Sequence, residues 1–64
     1  MSQLKKYKIQ FFNIDKNLDQ VKLMDNYADW AQLYYLLLGK RNIIDLKAYK
    51  YDLHEREYRE VINV

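Results

Sequence analysis

The 64-residue chain has no cysteine and no proline, a single glycine (Gly39), a single histidine (His54) and, in Ser2, its only aliphatic hydroxyl. Without cysteine, neither a disulfide nor a thiolate metal site can brace the fold. One histidine, one serine and no thiol leave the common Ser/His/Asp and Cys/His nucleophilic arrangements unbuildable. One glycine excludes a glycine-rich phosphate cradle. The carboxylates of Asp15, Asp19, Asp25, Asp29, Asp45 and Asp52 lack the loop spacing of a calcium site. His54, beside Glu55 and Arg56, reads as a solvated residue. The expectation is a chain with no catalytic residue, no metal and no cofactor, hence a non-enzymatic protein that works by binding another macromolecule.

Long hydrophobic runs are also absent. Met1-Ser2-Gln3-Leu4-Lys5-Lys6 leads straight into an alternating pattern, without an apolar block of signal-peptide or membrane-spanning length, so a cytoplasmic location and no membrane partner are expected. Eleven basic and nine acidic residues are scattered along the chain for a net charge of +2, far from the excess of a dedicated nucleic-acid binder. The richness in Lys, Asn, Tyr, Ile and Phe suits the codon bias of an A+T-rich genome, as in a low-GC bacterium or its phages.

At this length the chain supports one domain, residues 1–64, and one small core. Burying roughly 4,000 Å² of apolar surface contributes about 100 kcal/mol, and ordering the chain at about 1.5 kcal/mol per residue costs about the same. With no disulfide or metal to add margin, association with a second copy or a target is expected.

Tyr7, Ile9 and Phe11 alternate with Lys6, Lys8 and Gln10, the period of a half-buried strand. A second strand, Leu18 to Met24, follows a three-residue loop Asp15-Lys16-Asn17 with Asn17 in the left-handed region. That register sets Phe11 opposite Val21, Ile9 opposite Leu23, Gln10 opposite Lys22 and Phe12 opposite Gln20. Asn26 with Asp29 resembles a capping box and opens a helix near Tyr27. Tyr27, Trp30, Ala31, Tyr34, Leu37 and Leu38 form its buried stripe, and Gly39 stands where a left-handed C′ residue belongs. Leu33, Tyr35 and Leu36 are apolar too, so the last two turns are hydrophobic nearly all round.

From Ile43 to Leu53 alternation returns, with Ile44, Leu46 and Ala48 on one face, Tyr49, Tyr51 and Leu53 on the other, and a slip in phase near Ala48 that suits a bulge. The tail is two-sided. Asp52 with Glu55 and the Glu55–Arg59 spacing favour a helix, whereas Tyr58, Val61, Ile62 and Val64 favour a strand antiparallel to the third; strand is preferred. The expected fold is α+β, an antiparallel sheet of three or four strands with one helix packed on one face, ββαβ or ββαββ.

Two surfaces are candidates for binding. Leu33, Tyr35 and Leu36, with Tyr49 and Tyr51, form a candidate protein interface, since apolar and tyrosine-rich surfaces mark such sites; a homodimer or a heterologous target could use it. The surplus at Leu33 to Leu38 also has a plain reading as core. Lys6, Lys8, Lys47, Tyr49, Lys50 and Tyr51 form a candidate nucleic-acid surface, because bases stack on tyrosine and phosphates meet lysine; the same pattern is ordinary for a solvated strand face. A third reading is a subunit of a larger assembly.

The strand Tyr7 to Ile14, the second strand, the helix opening Ala28-Asp29-Trp30 and the segment Ile43-Ile44-Asp45-Leu46-Lys47 resemble, in element order over about three quarters of the chain, the small phage-encoded inhibitors of host uracil-DNA glycosylase. Those inhibitors are acidic imitators of DNA, whereas this chain is basic. The resemblance therefore implies a class, small phage or mobile-element proteins that bind and block a host enzyme or defence factor, and no transferred binding residues.

Overall fold

The computed structural model describes residues 5–64; the opening residues 1–4, Ser2 among them, lie outside the described part. Two strands, β1 (Tyr7–Asn13) and β2 (Leu18–Met24), precede a helix, α1 (Tyr27–Leu38), and two more strands, β3 (Ile43–Asp52) and β4 (Glu57–Val61), follow it. All four strands pair antiparallel in one sheet of order β2-β1-β3-β4. The molecule is thus a small α+β domain with a ββαββ order, and the tail forms a strand as its β-branched and aromatic residues favour. The carboxylate pattern at Asp52 caps a turn rather than a helix: its Oδ1 accepts from the backbone N–H of His54 and of Glu55 at 2.8 and 3.3 Å. The Glu55–Arg59 pair meets across this hairpin, 3.9 Å apart.

The helix lies over the two central strands and seals the core there. Ile9, Phe11 and Ala48 from the sheet meet Trp30 and Leu37 from the helix, and all five are buried. At the N-terminus the Asn26 side chain accepts from the Asp29 N–H at 3.1 Å, as the capping pattern predicts. Gly39 is the cap at the other end but holds φ −85°, right-handed rather than left-handed, and the N–H of Lys40 after it donates to the Leu37 carbonyl at 3.0 Å. The buried stripe is narrower than periodicity suggests. Tyr27 and Leu38 are 57% and 58% exposed, while Leu33 and Tyr34 pack on the core, because the helix turns the face centred on Trp30 and Leu37 to the sheet.

The first hairpin departs from the expected register by one residue. Phe11 faces Gln20, Ile9 faces Lys22 and Gln10 faces Val21. A one-residue slip moves every side chain of a strand to the other face. Two causes combine. Asn13 stays in the ladder opposite Leu18, its Oδ1 accepting from Lys16 N at 3.1 Å and its Nδ2 donating to Gln20 at 3.2 Å, so the loop has four residues, closed by Asn17 N–H on the Ile14 carbonyl. Asn17 does take the left-handed conformation, φ 55°. The second cause is the position of α1 over β1 and β3: β2 has no helix above it to reward an inward Val21 and Leu23.

On β3 the break in alternation comes earlier than expected. The pairing with β1 shifts between Gln10 and Phe12, and Asp45 holds φ 55° there, so the bulge sits at Asp45, not Ala48. As a result Leu46 and Ala48 face the helix while Ile44, opposite Phe12, points to the other side of the sheet.

Candidate binding surface on the open sheet face

One sheet face is covered by α1, and no element among the described residues packs on the other. Opposed residues of an antiparallel pair share a face, so the register assigns the bare side: Lys8, Gln10 and Phe12 from β1, Asp19, Val21 and Leu23 from β2, Ile44, Lys47, Tyr49 and Tyr51 from β3, and Tyr58 and Glu60 from β4. Val21, Leu23 and Ile44 stand 51%, 52% and 44% exposed. The surface has two ends. Phe12, Val21 and Ile44 make an apolar end without hydroxyl groups, and Tyr49, Tyr51 and Tyr58 a tyrosine-rich end.

The tyrosine-rich end is organised around Lys8. Its ammonium lies 4.9 Å from the Tyr49 ring centre and 5.1 Å from that of Tyr58, within range of cation–π attraction. Tyr58 meets Tyr51 edge to face at 5.2 Å, and its hydroxyl donates to the Lys5 carbonyl at 2.7 Å. The rings are therefore fixed before any partner arrives, and a fixed aromatic surface loses little side-chain entropy on binding.

The sequence-derived candidates separate. Tyr49 and Tyr51 do share the open face, with Lys8 and Lys47. Lys50 is opposite Tyr7, so it projects on the helix side, and the six residues proposed for nucleic acid do not converge. Lys6 precedes β1, and its carbonyl accepts from Tyr51 N at 2.8 Å. Leu33 belongs to the rim of the core. Tyr35 and Leu36 are 57% and 59% exposed on opposite outer flanks of the helix, away from Tyr49 and Tyr51; the Tyr35 hydroxyl donates to the Val64 carbonyl. The apolar run Leu33 to Leu38 is thus divided between core and surface. Phe12, Val21, Leu23, Ile44 and Tyr58 escaped the sequence reading because their exposure depends on the hairpin register and the bulge; Tyr58 was visible only as a strand former.

Two open depressions of about 460 and 360 Å³ share Lys50, Tyr51 and Leu53 at the β3–β4 end of the sheet. Arg59, on the wall of the larger, is drawn to Asp52 at 3.3 Å and to Glu55 and Glu57 at 3.9 Å. The Asp52 carboxyl is held below the usual aspartate range by the N–H groups of Glu55 and His54, with the Arg59 charge adding to the effect. The Asp25 carboxyl is lowered likewise by the Lys5 ammonium that bonds it at 3.1 Å. No group of three or more metal-ligating side chains occurs among the described residues, and no helix among them is long and apolar enough to cross a membrane.

Neither a family model, nor a curated protein, nor a solved structure matches this chain.

Proposed function

We infer that this is a non-enzymatic binding protein of phage or mobile-element type that docks on a host protein, an enzyme or a defence factor, and inhibits or modulates it. The observation that supports this reading most is the bare sheet face. None of the described residues packs over it, yet one end carries the apolar side chains of Phe12, Val21, Leu23 and Ile44, and the other three tyrosines gathered by Lys8 and by the Tyr51–Tyr58 contact. Aromatic anchors surrounded by aliphatic contacts are the composition of a protein-binding patch. For a nucleic acid the same face has rings that could stack but is poorly equipped with cations: Lys50 lies on the other side, Lys8 is already engaged with two rings, and Asp19 and Glu60 share the face.

The test is capture from host extract with three baits compared by mass spectrometry: the wild type, Tyr49→Asp and Tyr35→Asp. The expected result is a host protein retained by the wild type and by Tyr35→Asp and lost from Tyr49→Asp. Recovery of nucleic acid instead, abolished by raising salt, would replace this reading with that of a small nucleic-acid-binding regulator.

A further inference from the structure

The geometry points to a second copy of the chain as the occupant of the free edge of β2, joined strand to strand into one continuous eight-stranded sheet. The two edges of the sheet are built differently. β4 spans five residues and carries Glu57, Arg59 and Glu60, with Arg59 held among acidic neighbours. Charge and short length are the usual means by which an edge strand is kept from pairing with another chain; β4 has three charged residues in five, β2 only Asp19 and Lys22 in seven. β2 is longer, seven residues paired with β1 in unbroken register. It has no proline and no bulge, and Leu18, Val21 and Leu23 are 45%, 51% and 52% exposed. No described residue pairs with its outer edge, and much of both its faces is free of the described chain, since α1 rests on β1 and β3.

The strand is also complementary to itself. Two copies related by a two-fold axis perpendicular to the sheet keep both helices on one side, and opposed residues then come from the same face. Centred on Val21, this pairing puts Val21 against its own copy, Gln20 against Lys22 and Leu18 against Met24, leaving only Asp19 against Leu23 mismatched. Centring on Lys22 would set like charges directly opposite, which is unfavourable; centring on Gln20 would place Leu18 against Lys22. The helix supports the same contact. Tyr35 leans to the tail beyond β4, where it bonds the Val64 carbonyl. At about 100° per residue, Leu33 and Leu36 lie on the other flank, the one turned toward the β2 side of the sheet, with Leu33 packed on the core and Leu36 59% exposed. In the paired sheet the two copies of Leu36 overhang the groove between the helices.

Because the chain has no native cysteine, single-cysteine variants report the pairing directly. A disulfide requires Cα atoms within about 4.4–6.8 Å, and directly opposed strand residues lie about 4.5–5.5 Å apart. Under mild oxidation Val21→Cys is expected to give roughly tenfold more linked dimer than Ile44→Cys or Arg59→Cys, because pairing raises the local thiol concentration. A mixture of Gln20→Cys with Lys22→Cys should link into the mixed dimer in preference to either self-dimer. Wild type should sediment as a dimer, Leu36→Asp should shift it toward monomer, and Tyr35→Asp should not. A monomer at millimolar concentration overturns the proposal. So does linkage of Ile44→Cys as complete as that of Val21→Cys, which would mean a dimer packed through the open sheet faces. Should Val21→Cys fail to fold, the Gln20→Cys and Lys22→Cys mixture decides alone, and equal linkage among all its combinations rejects the register.

Discussion

The indole Nε1–H of Trp30 donates to the backbone carbonyl of Lys8, 3.2 Å away and 22 residues distant in sequence. Residue 8 thereby joins the two faces of the sheet, its main chain holding the helix on one side and its ammonium holding Tyr49 and Tyr58 on the other. Trp30 is 2% exposed and stacks against Tyr7 at 4.8 Å between ring centres. Trp30→Ala should cost about 3–5 kcal/mol in urea unfolding, the range for removing a buried aromatic. Trp30→Phe keeps most of the ring but loses the Nε1–H bond to the Lys8 carbonyl, which stays in the sheet ladder opposite Tyr49, and should cost about 0.5–1.5 kcal/mol. A native-like melting curve for the alanine variant would mean that Trp30 contributes little to the core.

Both hairpin loops end on a residue in the left-handed region, Asn17 and Arg56, each with φ 55°. Asparagine tolerates this conformation, whereas an arginine there carries a penalty of roughly 1–2 kcal/mol. Arg56→Asn should therefore stabilise the protein by about 0.5–1 kcal/mol, and Asn17→Ala should destabilise it by about 1 kcal/mol. Thermal unfolding followed by circular dichroism distinguishes the signs. A loss of stability in Arg56→Asn would show that the guanidinium contributes more than the backbone costs.

The elements and their order were legible in the sequence because each is specified locally. Alternation marks β1, the Asn26 cap and the spacing of Trp30, Tyr34 and Leu37 mark α1, and Tyr58 with Val61 marks β4. The binding face was legible only in part. Tyr49 and Tyr51 alternate visibly with Lys50, but the partners of Phe12 depend on where the helix settles. Pairing apolar with apolar across the first hairpin assumes that every strand is covered on one side. β2 is not, and the local bonds of Asn13 to Lys16 and Gln20 decide its register instead. The bulge at Asp45, which turns Ile44 outward, leaves no signature beyond a residue type that accepts a positive φ.

The turn between β3 and β4 should loosen in acid. The N–H groups of Glu55 and His54 stabilise the ionised Asp52 carboxyl and lower its pKa in the folded state below the ordinary 3.8. A group lowered on folding contributes stability that is fully present above its unfolded pKa and is lost as pH falls through the folded one. The contribution of Asp52 should thus be complete at neutral pH and decline below about pH 4. Amide chemical shifts of His54 and Glu55, followed on acidification, should titrate together with the Asp52 carboxyl. In Asp52→Asn that titration should vanish and the melting temperature at neutral pH should fall; amides that move identically in both proteins would assign the transition to another carboxylate.

Salt separates docking through the open sheet face from attraction to phosphate. Binding that neutralises phosphates weakens in proportion to the number of ion contacts formed, so a few lysine–phosphate pairs produce a steep slope of affinity against salt. Apolar and aromatic contacts carry no such dependence. The Kd for the captured host protein should change by less than about threefold between low and moderate salt, because the contacts formed release few counterions. Tyr49→Ala should weaken binding by about 2 kcal/mol, the scale of an aromatic hot spot. Lys47→Gln at the margin of the face and Lys50→Gln on its far side should each change it by less than about 0.5 kcal/mol. An affinity that falls steeply with salt and with both lysine variants, while Tyr49→Ala is tolerated, would place the contact on the basic residues and remove the case for a protein target.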